Sequence, residues 1–121
     1  LGGYEVYIHN GKKPTGINPI KFAKELEYLG AGEIIINSID QDGVMKGYDL
    51  TLVDKISESI SIPLTVLGGA GSLLDIKTII DKHGVIGAAA GSLFVFKGIY
   101  KAVLINYPNR VEKESLMKEI F

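Results

Sequence analysis

Three short, largely apolar runs constrain the fold of this chain most, because a loop that contains glycine follows each of them. The runs occupy residues 33–37, 62–67 and 85–90. They begin 29 and 23 residues apart (62 − 33 and 85 − 62), which is the spacing of successive strand–helix units. Continuous apolar runs of this length are typical of buried parallel strands. The sequence therefore predicts an α/β fold with parallel strands and right-handed crossovers.

A hairpin, four helices and a short helical turn complete the predicted organisation. Residues 5–9 alternate like a strand before Asn10-Gly11, a strong hairpin turn. The pattern places helices after Asn18, over residues 52–60 and after Ser72, with a last helix from about Val111 to the end. A short helical turn, Leu93–Lys97, is predicted after the third strand. The apolar face of the first helix is predicted to contain Phe22, Ala23, Leu26 and Leu29.

Composition and charge exclude several classes of function. The net charge of −1 offers no basic surface for nucleic acid or an anionic membrane. The chain has no cysteine, which excludes disulfides and thiolate metal sites, and no run long enough to span a bilayer. No signal peptide is visible, so we expect a cytoplasmic protein with neither a membrane nor a nucleic-acid partner. Its 15 glycines cluster at a few points, which indicates special backbone geometry.

The loop after the first run, residues 37–43, offers two carboxylates and exposed amides. In parallel α/β folds, ligands bind at the carboxyl ends of the strands. Asn37, Asp42 and Gly43 are therefore candidates for substrate binding or acid–base support. The alternative is a turn rich in Asn and Asp that only closes a loop.

The other two strand ends are candidates for a phosphate site. Gly68–Ser72 and Ala88–Ser92 each run through small residues into a predicted helix start, where unpaired amides attract anions. Either segment alone could be only a tight turn that needs glycine. Two such turns on consecutive strands can converge on one phosphate, as they do after strands 7 and 8 of (β/α)₈ barrels. The predicted helical turn Leu93–Lys97 corresponds to the short extra helix of such a site.

The two histidines and the paired lysines are weaker candidates. His9 lies in the predicted hairpin and His83 near a helix end, so both are expected at the surface. Lys12-Lys13 is more typical of a solvated face than of an anion site. No metal-ligand spacing or nucleophile elbow is present, so no metal site is predicted.

Five motifs in order resemble the cyclase family of imidazole glycerol phosphate synthase. They are GYEVYIHNGKKPTG, GAGEIIINSIDQDG, GYDL, IPLTVLGGAGS and AAAGSLFVF, which together extend from about Gly3 to Phe96. The resemblance implies the C-terminal half of a (β/α)₈ TIM barrel: strands 6–8 with their helices, and a hairpin after strand 5. Residues 1–121 would then form one half-barrel domain, with the N-terminal half of the barrel absent.

The resemblance also implies an activity and site residues. The family combines ammonia from a glutaminase partner with a doubly phosphorylated ribonucleotide, giving imidazole glycerol phosphate and an aminoimidazole carboxamide ribonucleotide. This step of histidine biosynthesis is lyase-type cyclase chemistry without metal or organic cofactor. The positions that match the family's substrate-phosphate grip are Asp42, Gly43, Gly69, Gly91 and Ser92. Glu33 matches a residue of the gate through which ammonia enters the barrel.

Two features leave alternatives open. The catalytic aspartates of the family would lie before Leu1, so we expect no catalytic residue in this chain and an inactive fragment. Asn37 and Leu67 stand where the family usually has Thr and Ser. These departures resemble a subgroup found with surface-polysaccharide genes, which implies an ammonia-channelling partner of a sugar-amidating enzyme. A third hypothesis is a folding module that self-associates through its open sheet edges.

Overall fold

The computed structural model describes residues 3–84 and 86–118. In chain order the elements are β1 (Tyr7–Ile8), β2 (Lys13–Pro14), α1 (Pro19–Tyr28), β3 (Ile34–Asn37), α2 (Leu50–Ser57), β4 (Leu64–Leu67), α3 (Leu73–His83), β5 (Gly87–Ala88), α4 (Ser92–Val95), β6 (Phe96–Lys97), β7 (Ala102–Val103) and α5 (Arg110–Met117). The antiparallel pair β1–β2 confirms the predicted hairpin. No helix within these two ranges is long and apolar enough to cross a membrane.

A parallel sheet in the order β3-β4-β5 forms the centre of the fold. Ile34 pairs with Leu64, and Val66 pairs with Ala88, so the carboxyl ends of all three strands lie at one edge. This arrangement confirms the predicted α/β class and parallel order. The third strand is shorter than the predicted run 85–90, since only two residues pair with β4. Val85, where that prediction began, lies outside the described residues.

Side-chain caps explain where the helices begin. The Asn18 side chain accepts hydrogen bonds from the amides of Ile20 and Lys21, and Pro19 occupies the first helical position. At α3, which begins after Ser72 as predicted, Ser72 and Asp75 form a capping box. One predicted face is wrong in part: Leu29 is 72% exposed, because α1 ends before it and Gly30 turns the chain away at a φ of +97°.

The hydrophobic core lies between one face of the sheet and the helices α1–α3. Ile34, Leu64 and Val66 supply the sheet side of this core, and residues of all three helices cover them. The most deeply buried large side chains are Ile56, Ile79 and Val53. Because strand side chains alternate, Ile35 points to the opposite face, where it is 65% exposed. The sheet is therefore covered by helices on one side only within the described residues.

The C-terminal region differs from the predicted pattern. Residues 92–95 form a single turn, α4, but Phe96 and Lys97 belong to a strand rather than to the predicted helical turn. Gly98 and Lys101 take positive φ values of +74° and +49°, which reverses the chain into the hairpin β6–β7. Helix α5 then begins at a second capping box, formed by Asn109 and Glu112. The predicted continuation of this helix to the end lies outside the described residues beyond residue 118.

Candidate functional site

Three loops meet at the carboxyl edge of the parallel sheet and enclose a small pocket. Residues 38–48 follow β3, residues 68–72 follow β4, and residues 89–91 lead from β5 into α4. The pocket has a volume of about 10 Å³ and is lined by Asp42, Gly43, Met45, Leu67, Gly68, Gly69, Ala70, Ala90, Gly91 and Ser92. Five of the six residues predicted to bind phosphate or substrate are therefore brought together. Much of the lining is backbone, which suits a ligand held by amides.

The loop after β3 presents the Gly43 amide rather than that of Asp42. The Asp42 N–H donates to the carbonyl of Ser38 at 2.9 Å, which closes the turn. The Gly43 amide has no acceptor in the described part of the chain. Gly43 lies beside Ser92, since a Cβ added to it would stand 4.0 Å from the Ser92 hydroxyl. Asp42 thus shapes the loop, and Gly43 offers the donor.

The loop after β4 requires glycine for close backbone contact. Gly69 has a φ of +124°, and a side chain there would collide with the carbonyl oxygen of Gly47. The Gly47 amide donates to the Gly69 carbonyl at 2.9 Å, so the two loops are joined through their backbones. A side chain at Gly71 would likewise collide with the carbonyl of Met45. The glycines therefore let two loops stack directly, while the Gly69 amide stays without an acceptor in the described ranges.

The start of α3 differs from the prediction that its amides are unpaired and face an anion. The Asp75 carboxylate accepts hydrogen bonds from the amides of Gly71 and Ser72, both at 2.9 Å. It also accepts the Ser72 hydroxyl at 3.0 Å. These donors are already satisfied by a negative charge of the protein itself. A ligand at this edge consequently depends on the amides of Gly43, Gly69 and the third loop rather than on the start of α3.

The third loop supplies two more free donors. Gly91 is the N-cap of α4 and has no side-chain cap, and Ser92 is its first residue. Neither amide has an acceptor among residues 3–84 and 86–118. With Gly43 and Gly69, they belong to a set of unpaired backbone N–H groups around one pocket, which also includes those of Met45, Gly68, Ala70 and Ala90. Several amides that converge in this way form an anion-binding concavity without any basic side chain.

Asn37 and Glu33 lie apart from this pocket. The Asn37 amide donates to the Asp42 carboxylate at 3.4 Å, and its side chain also lines a separate open cavity of about 540 Å³ along the free edge of β3. Glu33 precedes β3 at the amino edge of the sheet, where its carboxylate accepts the Thr65 hydroxyl at 2.7 Å. The two predicted roles, substrate binding and ammonia entry, thus fall at opposite edges of the sheet.

The histidines do not reach the pocket, although one of them is not the surface residue predicted. His83 is only 12% exposed in its side chain, because its Nε2 atom lies 3.1 Å from Asp54 and its Nδ1 atom 3.4 Å from the Ser57 hydroxyl. This cluster joins α2 to α3 on the helical side of the sheet. His9 is exposed in the hairpin, as predicted. In the described ranges no three His, Asp or Glu side chains are grouped to hold a metal.

Sequence reasoning missed the contacts that join the loops. Gly47 and Tyr48 were noted only as part of a motif, yet Gly47 binds the second loop and the Tyr48 hydroxyl binds the third, at the carbonyl of Ala89. The signal available in the sequence was the adjacent pair Gly47-Tyr48, a glycine followed by an aromatic residue at the end of an otherwise polar loop.

Comparison with known proteins gives a consistent result. A family model described as "Histidine biosynthesis protein" matches residues 2–101. The chain is 60% identical over 113 residues to a Leptospira interrogans protein provisionally named imidazole glycerol phosphate synthase subunit HisF, covering 93% of this chain and 44% of that protein. It is 51% identical to a Vibrio vulnificus protein provisionally named subunit hisF3, covering 95% and 44%. It is 41% identical to subunit HisF of Clostridium botulinum, covering 87% and 42%.

The matches also fix the extent of the similarity. The chain spans less than half the length of the curated relatives it matches. A three-stranded parallel sheet with helices on one face is the structure expected of half a (β/α)₈ barrel, and the match to these relatives supports that fold.

Proposed function

We propose, from the premise that this chain belongs to the histidine biosynthesis protein family, that it forms the phosphate-holding half of an imidazole glycerol phosphate synthase cyclase. In the complete cyclase, ammonia from a glutaminase partner reacts with a doubly phosphorylated ribonucleotide, giving imidazole glycerol phosphate and an aminoimidazole carboxamide ribonucleotide. The part carried by residues 1–121, as a single half-barrel domain, is to bind one substrate phosphate and to admit ammonia. We place this reaction in the cytoplasm.

The observation that carries the proposal is that unpaired amides from three loops lie around one pocket, four of them at positions that match the family's phosphate grip. The amides of Gly43, Gly69, Gly91 and Ser92 come from three loops and have no acceptor in the described ranges. Backbone donors bind a phosphate without a counter-charge, which suits a chain of net charge −1. Asp42 supports the grip by closing the turn before Gly43, and Asn37 supports it by bonding to the Asp42 carboxylate.

Ammonia entry is assigned to the opposite edge of the sheet. Glu33 and Thr65 form a hydrogen-bonded pair on the face that no helix covers in the described ranges. In a closed barrel this face becomes the interior, and ammonia entering there would travel along the strands toward the phosphate edge. The chemistry itself is assigned to residues outside this chain, so these residues bind and orient but do not transfer protons.

Phosphate titration followed by NMR tests the grip. Inorganic phosphate should shift the amide resonances of Gly43, Gly69, Gly91 and Ser92 and leave that of Gly98 unchanged. Ser92→Asp should abolish these shifts, because it places a carboxylate at the mouth of the pocket. Thr78→Asp adds the same charge on the exposed side of α3 and should preserve them. If both variants lost the phosphate-induced shifts equally, or if the wild type showed none, the proposal would be contradicted.

A second function is favoured by two residues at the substrate edge. Asn37 and Leu67 stand where the cyclase family usually has Thr and Ser. The candidate is a protein that has lost cyclase activity and channels ammonia to a sugar-amidating partner enzyme. Turnover of the histidine-pathway substrate by the full-length protein would eliminate it.

Self-association is proposed for the chain on its own. Ile35 is 65% exposed on the uncovered face, and β3 leaves an open edge beside a cavity of about 540 Å³. Exposed edges and apolar faces of this kind promote pairing between copies. Sedimentation velocity over a wide concentration range should show a dimer or larger assembly; a monomer throughout would contradict this proposal.

A further inference from the structure

Tyr48 connects the first loop of the site to the third through a single hydrogen bond. Its side chain is buried, with 7% of its surface exposed. Its hydroxyl donates to the carbonyl oxygen of Ala89 at 2.8 Å, between residues 41 positions apart in sequence. Tyr48 closes the loop that carries Gly43, and Ala89 precedes Gly91 by two residues. One bond therefore joins two of the segments that supply free amides.

The peptide groups at Ala89 are held from both sides. The Ala89 amide donates to the carbonyl of Val66 in β4 at 2.8 Å, and the Ala89 carbonyl accepts from Tyr48. Strand β5 has only two paired residues and α4 has only one turn, so neither element fixes the chain between them. The orientation of the peptide after Ala89 thus depends on Tyr48. That peptide carries the Ala90 N–H, so its orientation constrains the path of the chain into Gly91 and Ser92.

We propose that Tyr48 is a positioning residue for phosphate binding, acting through the Ala89 carbonyl to aim the amides of Gly91 and Ser92 into the pocket. This inference rests on the proposed function, because it concerns the same grip. Tyr48 does not touch the pocket, whose lining does not include it. Its hydrogen bond couples the position of the third loop to that of the first, so that amides from both loops face one phosphate.

The hydroxyl is suited to this role over the whole accessible pH range. Burial, with a smaller contribution from the charge of Asp75, raises the pKa of Tyr48 to about 12. The group therefore remains a protonated, neutral donor at neutral pH. A neutral donor holds the carbonyl without adding charge next to a bound anion.

Tyr48→Phe tests the inference, with Tyr4→Phe as the matched control. Each variant removes one tyrosine hydroxyl that donates at 2.8 Å, but Tyr4 donates to the carboxylate of Asp49, the residue after Tyr48, and not to the third loop. We expect Tyr48→Phe to weaken the binding of inorganic phosphate about two- to ten-fold, the range that corresponds to one hydrogen bond. Tyr4→Phe should bind phosphate like the wild type. Thermal unfolding of both variants establishes that they are folded.

A second measurement separates positioning from general loss of stability. Without phosphate, the Ala89 amide, which donates to the Val66 carbonyl, should exchange with solvent faster in Tyr48→Phe than in Tyr4→Phe, while exchange at Ile79 stays matched. If Tyr48→Phe binds phosphate like the wild type, the inference is overturned and the proposed function stands. If the wild type binds no phosphate, the proposed function fails. Faster exchange in Tyr48→Phe would still support Tyr48 as the residue that orders this junction, and unchanged exchange would overturn that role.

Discussion

Two regions of the molecule differ in how their amino-acid composition relates to their packing. They are the loops at the carboxyl edge of the sheet and the C-terminal segment, residues 96–118. The loops are rich in glycine and polar residues, yet backbone hydrogen bonds and the buried Tyr48 join all three. The C-terminal segment is rich in apolar residues, yet Ile99, Tyr100 and Ile105 are 88%, 91% and 80% exposed. Hydrophobic composition alone therefore does not fix a segment in this fold. Complementary backbone contacts do so where side chains are scarce.

The largest expected effect is the difference in lost stability between substitutions at two isoleucines, one buried and one in the C-terminal segment. Ile56→Ala should lower the free energy of unfolding by about 2–5 kcal/mol, since it leaves a cavity in the core. Ile105→Ala should change it by no more than about 0.5 kcal/mol, because its side chain is exposed. Urea denaturation at one fixed protein concentration measures both. A loss at Ile105 as large as that at Ile56 would mean that the C-terminal segment is packed against a second surface.

Two glycines with positive φ provide the next comparison. Gly98→Ala places a Cβ in open space, so it should cost only the strain of the left-handed conformation, about 1–2 kcal/mol. Gly69→Ala adds a collision with the Gly47 carbonyl and disturbs the bond between the two loops, which should cost about 2 kcal/mol more. It should also abolish the phosphate-induced shifts. Equal losses of stability would show that the loops do not stack closely.

The two capping boxes are expected to differ by less. Ser72→Ala removes the hydroxyl that caps α3, a helix that buries Ile76 and Ile79, and should lower global stability by about 1 kcal/mol. Asn109→Ala removes the cap of α5, which buries no residue. It should reduce helical circular dichroism while the unfolding midpoint changes little. A matching shift of the midpoint in both variants would contradict independent fraying of α5.

The smallest expected effect is on the pH dependence of folding stability. The hydrogen bond from Lys82 lowers the pKa of Asp54, with further help from His83. A carboxyl whose pKa is lower in the folded state stabilises the fold above its unfolded value of 3.8, and this contribution is lost as pH falls below that value. Asp54→Asn should therefore flatten the acid side of the stability profile. Glu114→Gln, at the exposed ion pair with Arg110, is the charge-matched control; the same flattening there would refute the assignment.

Much of the fold could be predicted because its signals are local. The apolar runs, the Asn18 and Ser72 caps and the Asn10-Gly11 turn each specify an element from neighbouring residues. The hairpin β6–β7 was missed because each strand has two residues, too few for a periodic pattern, and Lys101 gives no sign of its positive φ. The uncovered face of the sheet left no mark in the sequence, since Ile35 looks like any buried strand residue.

The glycines of the site could be predicted from the sequence, but which of its backbone amides are already hydrogen-bonded was not predicted. Gly69, Gly91 and Gly43 were identified because such residues follow parallel strands. The capture of the α3 amides by Asp75 was missed, although Ser72 and Asp75 have the spacing of a capping box, in which the acidic side chain accepts amides at the helix start. The role of Tyr48 depends on a backbone carbonyl 41 residues away, and no side chain at Ala89 records that contact.

The chain-order arrangement of the sheet has a consequence for assembly during synthesis. Ile34 pairs with Leu64 across about thirty residues, and Thr65 pairs with Gly87 across a little over twenty. Each strand therefore adds beside the one made just before it, and none must wait for a later segment to be inserted between them. A ribosome that releases the chain from its amino end can thus let β4 dock on β3 before β5 emerges. The growing edge of the sheet therefore moves forward with translation, while the opposite edge, at β3, stays unpaired.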